Sequence, residues 1–144
     1  MTEATTPPSV RTTLVDANVL IDVMTRDPEH AAASRRSLAR SALQGPVAIN
    51  PIILAELSAP FDSPTAVDQA LAFTSLARLD LPWGAAHRAS QAFVAYRRAG
   101  GSRRSPLPDF YIGAHAEVAG LRLLTRDEER YRTYFPTVEL VVPA

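Results

Sequence analysis

Four carboxylates stand out by their surroundings in the sequence: Asp16, Glu56, Asp109 and Asp127. Asp16 closes a short β-branched and aliphatic run, Thr12 to Asp16 (TTLVD), and Asp127 follows a second such run, Leu121 to Thr125. Ligands of open parallel sheets sit beyond the carboxyl ends of strands where strand order reverses, so acids at two strand ends could share one crevice. Acids near helix starts are also favoured by unpaired amides and the helix dipole, and for Asp127 that reading serves equally well. Glu56 is harder to explain as a surface acid. Ile52 and Ile53 precede it by four and three positions and Ala59 follows by three, so helical spacing sets it on an apolar face. A charged carboxylate there needs a pairing partner, a metal, or a twist of the helix that exposes it. Asp109 stands in the same way above Ile112, Gly113 and Ala116, although just after Pro108 it could also serve the dipole.

Carboxylates gathered in one crevice raise one another's pKa unless a cation neutralises them. Oxygen-only ligands, here expected to be all four acids, Asp16, Glu56, Asp109 and Asp127, in a chain without cysteine, suit a hard ion, Mg²⁺ or Mn²⁺, that also bridges to a substrate phosphate. His30, His87 and His115 lie far apart and lack H-x-x-x-H spacing, so they read as surface or satisfied core histidines and not as zinc ligands. The chemistry expected of such a centre is metal-assisted attack of water on phosphorus, leaving a 5′-phosphate and a 3′-hydroxyl. One Asp of the group would take the water proton, and Thr125, two residues before Asp127, would add a hydroxyl to water or phosphate.

The elements that must position these acids alternate along the chain. Strand Thr12–Asp16 leads into a helical stretch from Ala17 to Thr25, and a helix over Pro28 to Leu43 is closed by Gly45-Pro46. A strand over Val47 to Asn50 precedes Pro51, which opens a helix over Ile52 to Ala59. Pro64 to Leu76 is predicted helical, Arg78 to Leu81 a strand, and Gly84 to Ala99 a long helix ended by Gly100-Gly101. Pro108 opens a helix to Ala119, Leu121 to Thr125 is a strand, Asp127 to Tyr134 a helix, and Val138 to Val142 a last strand. Strands that alternate with helices predict an α/β fold: one mostly parallel sheet flanked by helices on both faces.

Length and composition agree. A chain of 144 residues, 47% hydrophobic and 21% charged, can bury a core as one domain, which excludes disordered and collagen-like classes. Residues 1–10 read as a loose tail, without the basic flank and apolar core of a secretory signal, and residues 11–144 as the domain. The longest apolar run, Ala17 to Met24, is interrupted by Asn18 and Asp22 and is far shorter than the roughly 20 residues of a membrane span. A soluble, cytoplasmic protein with no membrane partner is expected. Net charge is zero, but all fifteen basic residues are arginine, and Arg97, Arg98, Arg103 and Arg104 flank Gly100-Gly101. Guanidinium forks suit phosphate oxygens, so this group could track an RNA backbone; the plainer reading is a solvated helix face.

The segments carrying these acids resemble, in order and spacing, PIN-domain ribonucleases of the VapC toxin type. LVDANVLID is similar to the opening strand with the first metal Asp, here Asp16, and the polar Asn18 two residues on. NPIILAEL is similar to the helix supplying the glutamate, here Glu56, and LPDFYIGAHAEVAGLRLLTRD to the stretch with the third acid, Asp109, and the closing pair Thr125 and Asp127. The resemblance spans Leu14 to Val142. Some members carry an additional acid near the third, and Phe110 to Ala116 offers none. It implies a Mg²⁺-dependent (or Mn²⁺-dependent) RNA endonuclease, dimeric and cytoplasmic, neutralised by a small VapB-type antitoxin whose C-terminal segment covers the active groove. PIN nucleases in other RNA-processing settings, and a non-catalytic PIN-fold binding module, are the alternatives. A haloacid-dehalogenase-like phosphatase would need an Asp where Asn18 stands, and a phosphoacceptor receiver domain needs a lysine, which the chain lacks.

Overall fold

The computed structural model describes residues 11–103 and 107–144; the tail expected over residues 1–10 and the candidate Arg104 lie outside the described residues. The chain runs β1 (Thr13–Val15), α1 (Ala17–Met24), α2 (Ala31–Gln44), β2 (Val47–Ile49), α3 (Pro51–Ser58) and α4 (Pro64–Ala70). It continues through β3 (Leu76–Arg78), α5 (Trp83–Arg98), α6 (Pro108–Ala119), β4 (Arg122–Leu124), α7 (Glu128–Tyr134) and β5 (Leu140–Val141). The five strands form one sheet in the order β3-β2-β1-β4-β5, and every pairing is parallel.

From β1 the chain steps outward through β2 to β3, then crosses back to β4 on the other side of β1 and steps out again to β5. Right-handed crossovers in opposite directions place their helices on opposite faces. Most helix contacts agree: α1 packs on α2 and α3, and α5, α6 and α7 on one another, while α3 also meets α6, where Glu56 approaches Asp109. The expected α/β sandwich is therefore present, and strand order reverses between β1 and β4. β1 and β2 are buried at every position, as central strands covered on both faces must be. Leu14, Val15, Ile49, Leu123 and Leu124 from the strands meet Leu20, Ile53, Leu57, Phe110 and Ile112 from the helices in one core.

Several boundaries differ from expectation for local reasons. The second helix begins at Ala31 and not Pro28, because Asp27 Oδ2 takes the amides of Glu29 (3.1 Å) and His30 (2.7 Å) into a turn. It ends at Gly45, where a Cβ would lie 2.4 Å from the Arg11 carbonyl oxygen. The strand expected at Arg78–Leu81 lies at Leu76–Arg78, and the helix expected to reach Leu76 stops at Ala70. Register decides this: Leu76, Ala77 and Arg78 pair with Val47, Ala48 and Ile49, which leaves no room for the helix to continue. The last strand is confined to Leu140–Val141, opposite Leu123 and Leu124.

Candidate active site

Asp16 is the first residue beyond β1 and the N-cap of α1, its Oδ1 accepting from the Ala17 amide at 2.8 Å. Thr125 is the first residue beyond β4, the neighbouring strand, and is fully buried. Both thus stand at the carboxyl ends of the two strands between which the sheet reverses. The Thr125 hydroxyl donates to Asp16 Oδ2 at 2.8 Å, and the Asp127 amide donates to Thr125 Oγ1 at 3.0 Å. Asn18 completes this link, with its Nδ2 3.5 Å from Asp16 Oδ2 and 3.4 Å from Thr125 Oγ1 and its Oδ1 accepting from the Arg126 amide at 3.2 Å.

Asp16, Glu56 and Asp109 come together here: each offers a carboxylate oxygen, and the three atoms lie within 4.8 Å of one another. The three residues arrive from β1, α3 and α6. Asn50 caps α3 by accepting from the Ile53 amide at 2.9 Å, and Pro51 fills the first helical position, where an amide hydrogen would go unused. Ile53 and Leu57 are the buried positions of α3, and Glu56 lies beside this stripe, exposed at its edge. Its position is therefore the rim of the crevice, not the apolar face that spacing to Ile52 and Ile53 suggested. Asp109 stands in the first turn of α6 after Pro108, directly above the buried Ile112, Gly113 and Ala116. Its Oδ2 accepts from Arg130 Nη1 at 3.1 Å.

Electrostatics mark the group as one whose negative charge Arg130 only partly offsets. Burial raises the pKa of Asp16 above its ordinary value, against the lowering effect of the hydrogen bonds from Thr125, Tyr131 and Ala17. Desolvation pushes Glu56 up to about 7, with the charges of Asp16 and Asp109 adding to the rise. Asp109 is pushed up to about 6 by burial and by Asp16, with Arg130 pulling the other way. Three carboxylates so placed are costly to ionise together, and a hard divalent cation is the ligand that their oxygens fit.

Asp127 is not one of the three clustered acids. Its charge raises the pKa values of Asp16 and Asp109, and it borders a depression of about 360 Å³ that Tyr96, Glu129, Arg130, Thr133 and Tyr134 also line. A smaller, more apolar cavity of about 280 Å³, among Leu54, Phe61, Val67 and Arg78, lies away from the acids. Of the arginines near Gly100, Arg97 uses its Nη1 on the Arg103 carbonyl at 2.7 Å, while Arg98 and Arg103 are exposed. His115 is a buried core residue bonded to Asn50 at 3.0 Å, as a satisfied core histidine should be.

Three residues of this neighbourhood escaped sequence reasoning. Tyr131, fully buried, donates its hydroxyl to Asp16 Oδ2 at 3.1 Å; burial and the Asp16 charge hold that phenol well above its ordinary pKa, so it remains a donor. Arg130 and Tyr131 stand three and four positions after Asp127, a helical spacing that would have placed them on the same side. Arg126 pairs with the buried Asp22 through Nε at 2.6 Å and Nη2 at 3.0 Å, and Ser34 Oγ donates to the same carboxylate at 2.8 Å. That pair ties the β4–α7 loop to α1, and nothing local in the sequence announces it.

Residues 13–136 match the family described as the PIN domain. No curated protein matches the sequence. Among solved structures, the fold is similar to the VapBC2 complex of Rickettsia felis bound to a promoter DNA fragment, at a TM-score of 0.70 and 17% identity, covering 92% of this chain and 99% of that one. VapBC-1 of nontypeable Haemophilus influenzae gives a TM-score of 0.68 at 15% identity, covering 91% and 97% of the two chains. DNA-bound VapBC of Salmonella typhimurium gives 0.65 at 24% identity, covering 92% and 98%.

Proposed function

Because this chain belongs to the PIN-domain family, we propose that it is a divalent-metal-dependent endoribonuclease, the toxin of a VapBC-type toxin–antitoxin pair. The observation that carries this reading is the convergence of Asp16, Glu56 and Asp109, whose ligand oxygens lie within 4.8 Å of one another at the reversal point of the sheet. These three residues would hold Mg²⁺ or Mn²⁺. When bound, such a cation supplies Lewis acidity toward a phosphoryl oxygen and makes a neighbouring water more acidic.

The protein's own groups have distinct tasks in this scheme. Asn18 and Thr125 hold Asp16, and Thr125 also fixes the start of the Asp127 segment through the Asp127 amide. Asp127, outside the three clustered ligands, is the acid we assign to accepting a proton from the attacking water. Arg130, already bonded to Asp109, would meet a phosphate at the rim of the crevice. Arg97, Arg98 and Arg103, at the end of α5, would extend the path of the RNA backbone. A VapB-like antitoxin and a second copy of the chain are the partners this reading implies, in the cytoplasm where the RNA substrate resides. Among the described residues no helix is long and apolar enough to cross a membrane.

The test is direct. Protein freed of any antitoxin is incubated with total RNA in Mg²⁺ or Mn²⁺, beside a chelator control and an Asp109→Asn variant. Discrete metal-dependent fragments bearing 5′-phosphates, absent with the variant, are expected. Cleavage that survives the chelator or the substitution would overturn the assigned centre, and metal binding without cleavage of any RNA would favour a non-catalytic binding module.

A further inference from the structure

Tyr131 is a tyrosine where packing alone asks for a phenylalanine. Its ring is fully buried on α7, tilted against Phe135 with centroids 6.5 Å apart. A buried hydroxyl is costly unless it is bonded, and this one donates to Oδ2 of Asp16 at 3.1 Å, with the Asp109 carboxylate also within its reach. The same oxygen accepts from Thr125 Oγ1 at 2.8 Å, and Asn18 Nδ2 stands 3.5 Å away. A carboxylate oxygen has two in-plane lone pairs, so the two hydroxyls saturate Oδ2. Oδ1 accepts one hydrogen bond, from the Ala17 amide at 2.8 Å, and keeps a lone pair.

Resting on the metal-centre reading above, we propose that Tyr131 is a positioning residue. Its hydroxyl and that of Thr125 clamp Oδ2 of Asp16, leaving Oδ1 as the oxygen this residue offers to a divalent cation. Asp16 then binds through one oxygen, in an orientation set by three elements at once: its own strand end after β1, the end of β4 through Thr125, and α7 through Tyr131. Docking of α7 against α5 and α6 thereby becomes a condition for an ordered ligand set. Hydrogen bonds behind a ligand commonly carry a ten- to hundredfold effect on metal affinity.

The clamp is tested by Mn²⁺ binding to the metal-free full chain, followed by the electron paramagnetic resonance of the free ion, without RNA. Tyr131→Phe keeps the ring and loses only the donor, and should weaken Mn²⁺ binding about tenfold or more. Phe135→Leu disturbs the packing around the ring and leaves the hydroxyl, and should bind Mn²⁺ as the unmodified chain does. Thr125→Val should weaken binding as Tyr131→Phe does, and Thr125→Ser, which restores a hydroxyl, should recover it; this pair keeps the idea testable if Tyr131→Phe does not fold. Unchanged affinity in Tyr131→Phe, or an equal loss in Phe135→Leu, would reduce Tyr131 to a core residue. Equal affinity in Thr125→Val and Thr125→Ser would also break the clamp. An unmodified chain that binds no Mn²⁺ would overturn both this inference and the metal-dependent function, whereas binding without RNA cleavage would overturn the nuclease reading alone.

Discussion

Asp109→Asn should make the metal-free protein more stable at pH 8 while removing the function proposed for it. Asp109 is held at a pKa of about 6 against an ordinary 3.8, by burial first and the Asp16 charge second. A carboxyl raised in this way favours the folded state fully below pH 4, and that contribution is lost as pH rises through about 6. The gap between about 6 and 3.8 is worth about 3 kcal/mol once Asp109 is ionised in the fold, and its side chain is 19% exposed, so water screens it little. Asn occupies nearly the same volume without the charge. The advantage of the variant over the unmodified chain should therefore grow by about 1.4 kcal/mol between pH 5 and pH 8, or roughly 4–6 °C in melting temperature. Circular-dichroism melts in chelator at several pH values measure this difference. Adding Mn²⁺ at pH 8 should reverse the order, because only the unmodified chain gains from binding. A stability difference that stays constant from pH 5 to pH 8 would refute the claim that the acids repel one another in the empty crevice.

Three further expectations follow from other parts of the molecule. Arg126→Ala strands the buried Asp22 carboxylate, whose side chain is 4% exposed, and should cost about 3 kcal/mol in urea denaturation; a loss below about 1 kcal/mol would mean that Ser34 and water suffice. Gly113→Ala would place a Cβ 2.3 Å from the Phe135 ring and should cost about 1–3 kcal/mol in the same assay; a neutral result would mean that the ring moves freely. Replacing Arg97, Arg98 and Arg103 by glutamine should make RNA binding less steeply dependent on salt, by about one in the log–log slope for each phosphate no longer neutralised, and an unchanged slope would remove these residues from the RNA path.

Much of this architecture is legible in the chain itself. The alternation of short aliphatic runs with helical spacing gives the α/β class, because periodicity is a local property that burial imposes on each element. Pro51 and Pro108 at first helical positions, and the left-handed Gly120 past a helix end, mark boundaries through backbone chemistry that travels with the residue. Asp16 and Asp109 were also visible, as acids at a strand end and above an apolar stripe. Where neighbouring signals compete, local reading fails: Pro64 to Leu76 looks continuously helical, and only the pairing of Leu76–Arg78 with Val47–Ile49 ends α4 at Ala70.

Tertiary structure decided which acids meet. The sequence ranks Asp127 with the other three, but the fold brings Asp16, Glu56 and Asp109 together and leaves Asp127 beside them. It also puts Glu56 at an exposed rim, since the buried stripe of α3 is Ile53 and Leu57, one position away. Tyr131 reaches Asp16 across 115 positions and Arg126 reaches Asp22 across 104. Such pairings leave no local trace, because they depend on β4 lying beside β1 and on the crossover that carries α5 and α6 to the far face. A residue's own neighbours in sequence set which element it belongs to and which face it shows; strand order sets what that face touches.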